Sequence, residues 1–381
     1  MAKPRAYFDW NATTPLHEAA RGAMLAVCDV VGNPSSIHAE GRAARQIVNA
    51  AREVLAAAMG AQARQIVFTS GGTEANAMAL NPHWQHLAGA PLARLIVSAV
   101  EHPNVLAGGS FTADQVEILP VTQDGIANLA ALETMLAAGG GPALVALMLA
   151  NNETGIVQPV ADAARIVHRH GGLLHVDAVQ GLGKMPFTIG DLMADSLSLS
   201  AHKIGGPKGV GAIILGDEAK APMPLLRGGG QERNRRAGTE NVIGIAGFGA
   251  ALRAAMAQLE PNIARMAGLR TKLEAGLKGV SGTHVFGEDV DRLPNTTLFS
   301  LPAIKAETAI IAFDLEGSAL SSGSACSSGR VQPSHVLAAM GISPDLATGA
   351  IRMSLGPQSS EIEVDMAVKA WEKLSKRPVK D

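Results

Sequence analysis

Apolar and polar positions along the chain follow two different periods. Residues 40 to 60, EGRAARQIVNAAREVLAAAMG, set Ala44, Ile47, Val48, Ala51, Val54, Leu55 and Ala58 at helical spacing, and Gly60 ends the run. The period then shortens. Compact apolar runs follow at 65–70 (QIVFTS), 94–99 (RLIVSA), 143–150 (ALVALMLA), 173–179 (LLHVDAV), 196–200 (SLSLS) and 210–216 (VGAIILG). Most are separated by roughly twenty residues or more, several with helical character, such as EANAMAL and DAARIVHRH. Such alternation predicts an α/β protein with a mainly parallel sheet covered on both faces. The interval from 177 to 196 and the short step from 200 to 210 fit less well, so one antiparallel strand is expected.

From about residue 255 the character changes. An Ala/Leu-rich segment, interrupted by Pro261, Gly268 and Gly276, runs to Lys278, and strand-like TTLFS and helical ETAIIAF follow. The last helix opens on Ser360-x-x-Glu363, a capping box, with Val364, Val368 and Trp371 on one face. This reads as a second, smaller α+β domain. The length agrees, since 381 residues suggest about two domains.

Composition narrows the classes. Apolar residues make up 47%, charged residues 17%, and the net charge is -2, which excludes a disordered chain and gives no electrostatic reason to expect nucleic acid. The opening MAKPRAYFDWN has no apolar signal region, and no apolar run is long enough for a bilayer, so no membrane association is expected. Two cysteines, Cys28 and Cys326, exclude a disulfide framework and a four-thiolate metal site. A cytoplasmic, reducing setting with free thiols is the expectation.

In open α/β sheets ligands bind beyond the carboxyl ends of the strands. The polar segments TSGGTE (69–74), EHPN (101–104), NNETG (151–155), DAVQ (177–180) and SAHK (200–203) fall there. Gly71, Gly72 and Thr73 lie between a strand and a helix, where small residues let backbone N–H groups cradle one phosphate; an ordinary turn would look the same. Asp177 ends an apolar strand and suits a cationic ring nitrogen, or equally a structural ion pair. Lys203 follows a strand at the crevice edge and is suited to a Schiff base, with Lys208 as its rival. An anion cradle, a buried aspartate and a loop lysine together match the needs of pyridoxal phosphate.

His102 could stack on a flat cofactor or simply fill a turn. The pairs His168/His170 and His83/His86 have metal-like spacing without companion ligands and read as solvated helix faces. Cys326, among tiny residues in SSGSACSSGR, is a candidate nucleophile, whereas Cys28, on an apolar helical pattern, reads as core. Arg352, inside an apolar strand, would clamp a carboxylate if inward-facing. The loop GGGQERNRRAGTEN (228–241) could offer Thr239 or an arginine to a phosphate, or be a flexible linker.

Together these segments resemble the cysteine desulfurases of the NifS/IscS type, in the class V aminotransferase group of pyridoxal phosphate enzymes. NATTP, GNPSS, TSGGTEAN, EHPNV, NNETG, VDAVQ, SAHKIGGPKG, GGGQER, RRAGTEN, SSGSACSSG and IRMSLG occur in the family's order across nearly the whole chain. The resemblance implies fold type I, with a large cofactor-binding domain over 12–255. Residues 1–11 and 256–381 would form a small domain carrying the cysteine loop.

It further implies that Lys203 holds the cofactor, Asp177 pairs with its ring nitrogen and Gln180 meets the ring hydroxyl. His102 would stack on the ring and relay protons. Gly72, Thr73, Ser200 and His202 would bind the phosphate, with Thr239 reaching in from the second subunit of a homodimer. Asn152, Arg352 and Asn33 would contact the substrate. L-Cysteine would become L-alanine, its sulfur passing to Cys326 as a persulfide and on to an acceptor such as an iron–sulfur scaffold protein. Gln231 and NNETG are closer to the nitrogen-fixation branch than to the housekeeping one. The alternatives are a selenocysteine lyase or a non-catalytic sulfur carrier on the same fold. No G-x-G-x-x-G follows the early strands, which disfavours a nicotinamide enzyme.

Overall fold

The computed structural model describes residues 5–85, 91–302, 304–323 and 334–376. Strand β1 (Ala6–Tyr7) is followed by helices α1 (Glu18–Val27) and α2 (Ala39–Met59). The alternating part comprises β2 (Ile66–Thr69), α3 (Gly72–Ala79), β3 (Arg94–Ser98), α4 (Pro103–Leu106), β4 (Val116–Leu119), α5 (Leu129–Ala137), β5 (Ala143–Met148), α6 (Val160–Arg169) and β6 (Leu173–Asp177). Then come β7 (Ser196–Ser200), β8 (Gly211–Leu215), α7 (Val242–Ala257) and α8 (Leu259–Lys278). The remainder is β9 (His284–Val285), β10 (Thr296–Ser300), α9 (Ala306–Leu315), β11 (Ser318–Ala319), β12 (Ser321–Ser322), α10 (His335–Ala339), α11 (Pro344–Ala347), β13 (Ile351–Ser354) and α12 (Glu361–Ser375).

Helix α2 matches the expected segment within a residue, and Gly60, at a left-handed φ of 63°, stops it. The main sheet has the order β2-β8-β7-β6-β5-β3-β4, with β4, β3, β5, β6 and β7 parallel. β8 is antiparallel to both its neighbours, the one reversed strand that the spacing called for. β5 shows why both faces are covered: Val145 and Leu147 enter the core against α2, α6 and α7, and Leu144 and Ala146 enter the opposite one.

The register brings the polar termini together. Thr69 and Ser200 both pair with Gly211, so the turn after β2 and the turn after β7 meet across β8. A Cβ on Gly211 would lie 2.5 Å from the carbonyl carbon of Gly71 and 2.6 Å from the Leu199 oxygen, so only glycine admits this approach. Asp177 pairs with Met148 on one side and Ser198 on the other, at the same end of the sheet.

A second sheet, β12-β13-β10-β9, is antiparallel and packs against α8, α9 and α12. Trp371 is its largest anchor, edge-on to Phe299 at 5.0 Å and stacked on Phe313 at 6.1 Å. Ala6 and Phe8 join this core, with β1 parallel to β11. The Ser360–Glu363 capping box is formed. α8 is unbroken, because Pro261 sits in its first turn, where an N–H has no helical partner to lose.

Two expectations fail. Cys28 is exposed rather than core: its backbone is still helical, but it lies on the face of α1 that carries exposed Arg21 and Leu25, Ala20 being the one buried residue of the helix, and its Sγ bonds Met24 O at 3.2 Å. His83 lies in the loop after α3 and not on a helix. β4 went unread because it is a half-exposed edge strand carrying Glu117, which pairs with Arg94 at 3.1 Å. Among the described residues no single helix is long and apolar enough to cross a membrane.

Candidate active site

At the carboxyl ends of β2, β3, β5, β6 and β7 lies a cavity of about 270 Å3. Gly72, Thr73, Ser200 and His202 line one end of it, Lys203 and Gln180 the floor, and His102, Asp177, Asn152 and Arg352 complete the wall. Ten of the residues singled out from sequence thus meet in one place.

Gly72 and Thr73 open α3, so their N–H groups have no carbonyl one turn back and face the cavity with the positive end of the helix. Glu74, in the same first turn, would repel an anion. Its burial disfavours ionisation, yet Arg236 (2.9 Å) and the Ser70 N–H (2.7 Å) hold it charged and below its ordinary range, so its charge is met before it reaches the cradle. His202 is pushed down to about 4 by burial and by Lys203, Lys208 and Lys184, so it is a neutral hydrogen-bonding group at pH 7, beside Thr13 Oγ1 at 3.1 Å.

Lys203 ends the turn after β7 and donates to the main-chain oxygens of Asn11 (2.5 Å) and Ala12 (2.9 Å). Lys208 is exposed and lies outside the cavity, which decides between the two lysines. Asn11 was not singled out from sequence, yet the site is built around it. Its main-chain oxygen also accepts from Gln180 Nε2 (3.0 Å), and its side-chain oxygen from Lys184 (3.0 Å) and Asn295 (3.0 Å).

Asp177 is held by the Asn76 amide (2.7 Å) and the Val179 N–H (3.0 Å). Asn76 Oδ1 in turn meets His175 Nε2 at 2.9 Å, and His175 Nδ1 meets Ser196 Oγ at 2.8 Å. A carboxylate only accepts, so Asn76 turns its NH2 to Asp177 and its oxygen to His175, which therefore carries its proton on Nε2. Burial pushes His175 down to about 3, so this chain is neutral. Beneath it, Glu101 is fully buried; burial and the neighbouring Asp177 raise it well above the carboxylate range, and its Oε2 has no partner among the described residues. Glu101 and Asn76 lie within the quoted segments EHPNV and TSGGTEAN without having been given a role, and His175 carried no signal beyond being polar in an apolar strand.

Arg352 is 1% exposed on β13. Its two terminal nitrogens donate to Asp9 (2.7 Å) and to the Asn152 carbonyl (2.8 Å), while its buried Nε has no partner among the described residues. The inward orientation required for a carboxylate clamp is present. Next to it Glu153, buried and bonded to Ser334 Oγ at 2.5 Å, is raised to about 7 by burial, against the pull of Ser334 and Arg352.

His102 caps α4 with an exposed ring at the mouth. Thr239 and Asn33 lie elsewhere in the chain. Thr239 lines a neighbouring cavity with Ser70 and Arg236, and Asn33 is exposed, its side chain accepting from Ser35 N at 2.9 Å. Cys326 falls outside the described residues. His168 and His170 each bond a carboxylate, Asp195 (2.8 Å) and Glu133 (2.7 Å), and no three-ligand metal group occurs among the described residues.

The residues present fit pyridoxal phosphate: a helix N-terminus backed by small residues for an anion, a carboxyl group bonded by the Asn76 amide and the Val179 N–H for a ring nitrogen, and a lysine in the same cavity. The fold and the site thus define a pyridoxal-phosphate-dependent enzyme. The family model for aminotransferase class-V matches residues 6–366. A cysteine desulfurase of Cereibacter sphaeroides is 44% identical over 95% of this chain and 93% of its own length. The cysteine desulfurase IscS of Dictyoglomus turgidum is 38% identical over 98% and 95%. The solved NifS-like protein of Rickettsia africae superposes with a TM-score of 0.88 at 32% identity, covering 97% of this chain and 99% of that one. The chain belongs to the class-V aminotransferase family, among its cysteine desulfurases.

Proposed function

We propose that this protein converts L-cysteine to L-alanine and delivers the sulfur, as a persulfide on Cys326, to an acceptor such as an iron–sulfur scaffold protein. The observation that carries the reading is the meeting of the anion cradle, Asp177, Lys203 and Arg352 in one cavity. When bound there, pyridoxal phosphate supplies an electron sink conjugated to the substrate Cα. Gly72, Thr73, Ser200 and neutral His202 hold the phosphate, and Asp177 keeps the ring nitrogen protonated. Gln180 meets the ring hydroxyl, and Arg352 and Asn152 orient the substrate carboxylate. Lys203 would take the Cα proton, and His102 would relay protons.

The Cys326 thiolate attacks the substrate sulfur. An S–S bond forms and the Cβ–S bond breaks; the electron pair of that bond stays on carbon, which is protonated to give the methyl group of alanine. No external oxidant is needed. A thiolate nucleophile favours a reducing compartment such as the cytoplasm.

A homodimer completes the reading. Thr239 and Asn33 lie outside the cofactor cavity of their own chain, and Asn33 is flanked by the exposed Val31 and Ile37, apolar positions that a second subunit would cover. Division into a cofactor-binding domain (12–255) and a small domain (1–11 and 256–381) accords with the two cores.

The test is direct. Purified protein with pyridoxal phosphate, L-cysteine and a thiol reductant should yield equal amounts of alanine and sulfide. Cys326→Ala should still bind cysteine, seen as a change in cofactor absorbance, but lose sulfide formation by about two orders of magnitude or more. Wild-type sulfide release from that variant would refute the nucleophile assignment.

A further inference from the structure

Lys184 is a lysine with a 5% exposed side chain that none of the roles above uses. Its Nζ donates to Gln180 Oε1 at 2.7 Å and to Asn11 Oδ1 at 3.0 Å. Among the described residues no carboxylate lies within ion-pair distance of it. Both partners touch the site. Gln180 Nε2 and Lys203 Nζ donate to the same Asn11 main-chain oxygen, at 3.0 and 2.5 Å, so two lysines and a glutamine converge on one asparagine.

The hydrogen-bond inventory constrains the arrangement. A lysine nitrogen only donates, so Gln180 must present its oxygen to Lys184 and its NH2 to the opposite side. One of those two N–H groups is taken by Asn11; the other is left on the cavity side, which Gln180 lines. Burial, with Lys203 and Arg352 nearby, brings Lys184 well below the usual lysine range. The other charged or titratable groups around it are His202 on the Lys203 turn, Asp177 ending β6, Asp9 paired with Arg352, and His17 across the cavity that Lys184 and Lys203 share.

We propose that Lys184 is a positioning residue for the cofactor, holding the Gln180 amide with its N–H toward the ring hydroxyl and anchoring the side chain of Asn11, whose main-chain oxygen is the acceptor shared by Gln180 and Lys203. This rests on the assignment of Gln180 and Lys203 as cofactor contacts. Without Lys184 the Gln180 amide keeps only the Asn11 carbonyl as its anchor, and its N–H toward the ring hydroxyl is less firmly placed. Weakening of that N–H contact and loss of a neighbouring amine both favour the proton on the cofactor-bound Lys203 nitrogen, so the visible absorbance should titrate at higher pH.

The experiment compares holoenzymes of wild type, Lys184→Met and Lys184→Gln. Lys184→Met should bind pyridoxal phosphate about tenfold more weakly and shift the absorbance midpoint up by about one pH unit, with borohydride still fixing the cofactor on Lys203. Lys184→Gln, which keeps a donor but reaches only one acceptor, should fall between. If Lys184→Met does not fold, Lys184→Gln alone decides, with an upward shift expected. A folded variant with a lowered melting temperature but unchanged affinity and midpoint would show a merely structural lysine and overturn the proposal. Failure of borohydride to fix the cofactor on Lys203 in wild type would instead overturn the assignment beneath it.

Discussion

Arginine 352 shows how much one side chain can be asked to do. In a strand whose neighbours are all buried, its guanidinium is satisfied at both terminal nitrogens but not at Nε. A buried charge with spare donor capacity favours an anionic ligand. Charge-assisted hydrogen bonds contribute about 1.5–3 kcal/mol, so Arg352→Ala should lower kcat/KM for cysteine by about 10- to 100-fold, mostly through KM. Steady-state kinetics check this; an unchanged KM would leave the arginine as a strut for Asp9. Glu153 makes a second prediction at this scale. Its folded carboxyl is raised to about 7 from 4.5, so the folded protein keeps a proton that the unfolded chain has released. Stability is therefore complete below pH 4.5 and is lost as the pH rises through 7. Glu153→Gln cannot lose a proton, and its stability relative to wild type should rise by roughly 1–3 kcal/mol between those limits, as denaturation midpoints at several pH values would show.

Among the elements, the 228–241 loop departs furthest from ordinary backbone. Glu232, Arg233 and Asn234 are consecutive left-handed residues, a conformation costing about 1–2 kcal/mol each without glycine. What holds it is a buried pair. Arg52 of α2 donates to both Glu232 oxygens at 2.7 Å, and the Phe68 N–H of β2 adds a third bond at 3.1 Å. The loop is thus a clamped arm and not a flexible linker. Removing one partner leaves a buried charge, so Arg52→Ala should destabilise by about 3–5 kcal/mol, and Arg52→Met with Glu232→Leu by much less. Chemical denaturation distinguishes them, and equal losses would show that packing, not charge, holds the loop.

At the scale of the whole molecule, the open question is whether one chain makes a complete site. If Thr239 serves the neighbouring subunit, mixed dimers of Lys203→Ala with Thr239→Ala should contain one site with both a working lysine and a working threonine. Each variant alone should be impaired, and co-purified mixed dimers should recover up to about half of wild-type activity. Recovery no greater than the average of the two parents would mean that Thr239 acts within its own chain or not at all.

The sequence by itself determined six of the seven strands of the main sheet, the reversed strand, the long helix with its glycine stop and the last capping box. These follow from local periodicity, which a single chain segment expresses without its neighbours. Nine of the ten residues that meet in the cavity lie at the carboxyl ends of main-sheet strands, where topology places chemistry, while Arg352 showed as an arginine inside an apolar strand of the second sheet; the family resemblance supplied most of their roles. Tertiary structure decided the rest. Lys203 lines the cavity and Lys208 does not, and Cys28 is outside the core because the face of α1 that carries it is not covered. Asn11, Asn76, His175 and Lys184 emerged only when segments up to 343 positions apart closed on one another, as Asn11 does on Ser354. A buried polar residue has no period of its own. Its role is set by partners that the fold brings to it, and those cannot be read from its own stretch of chain.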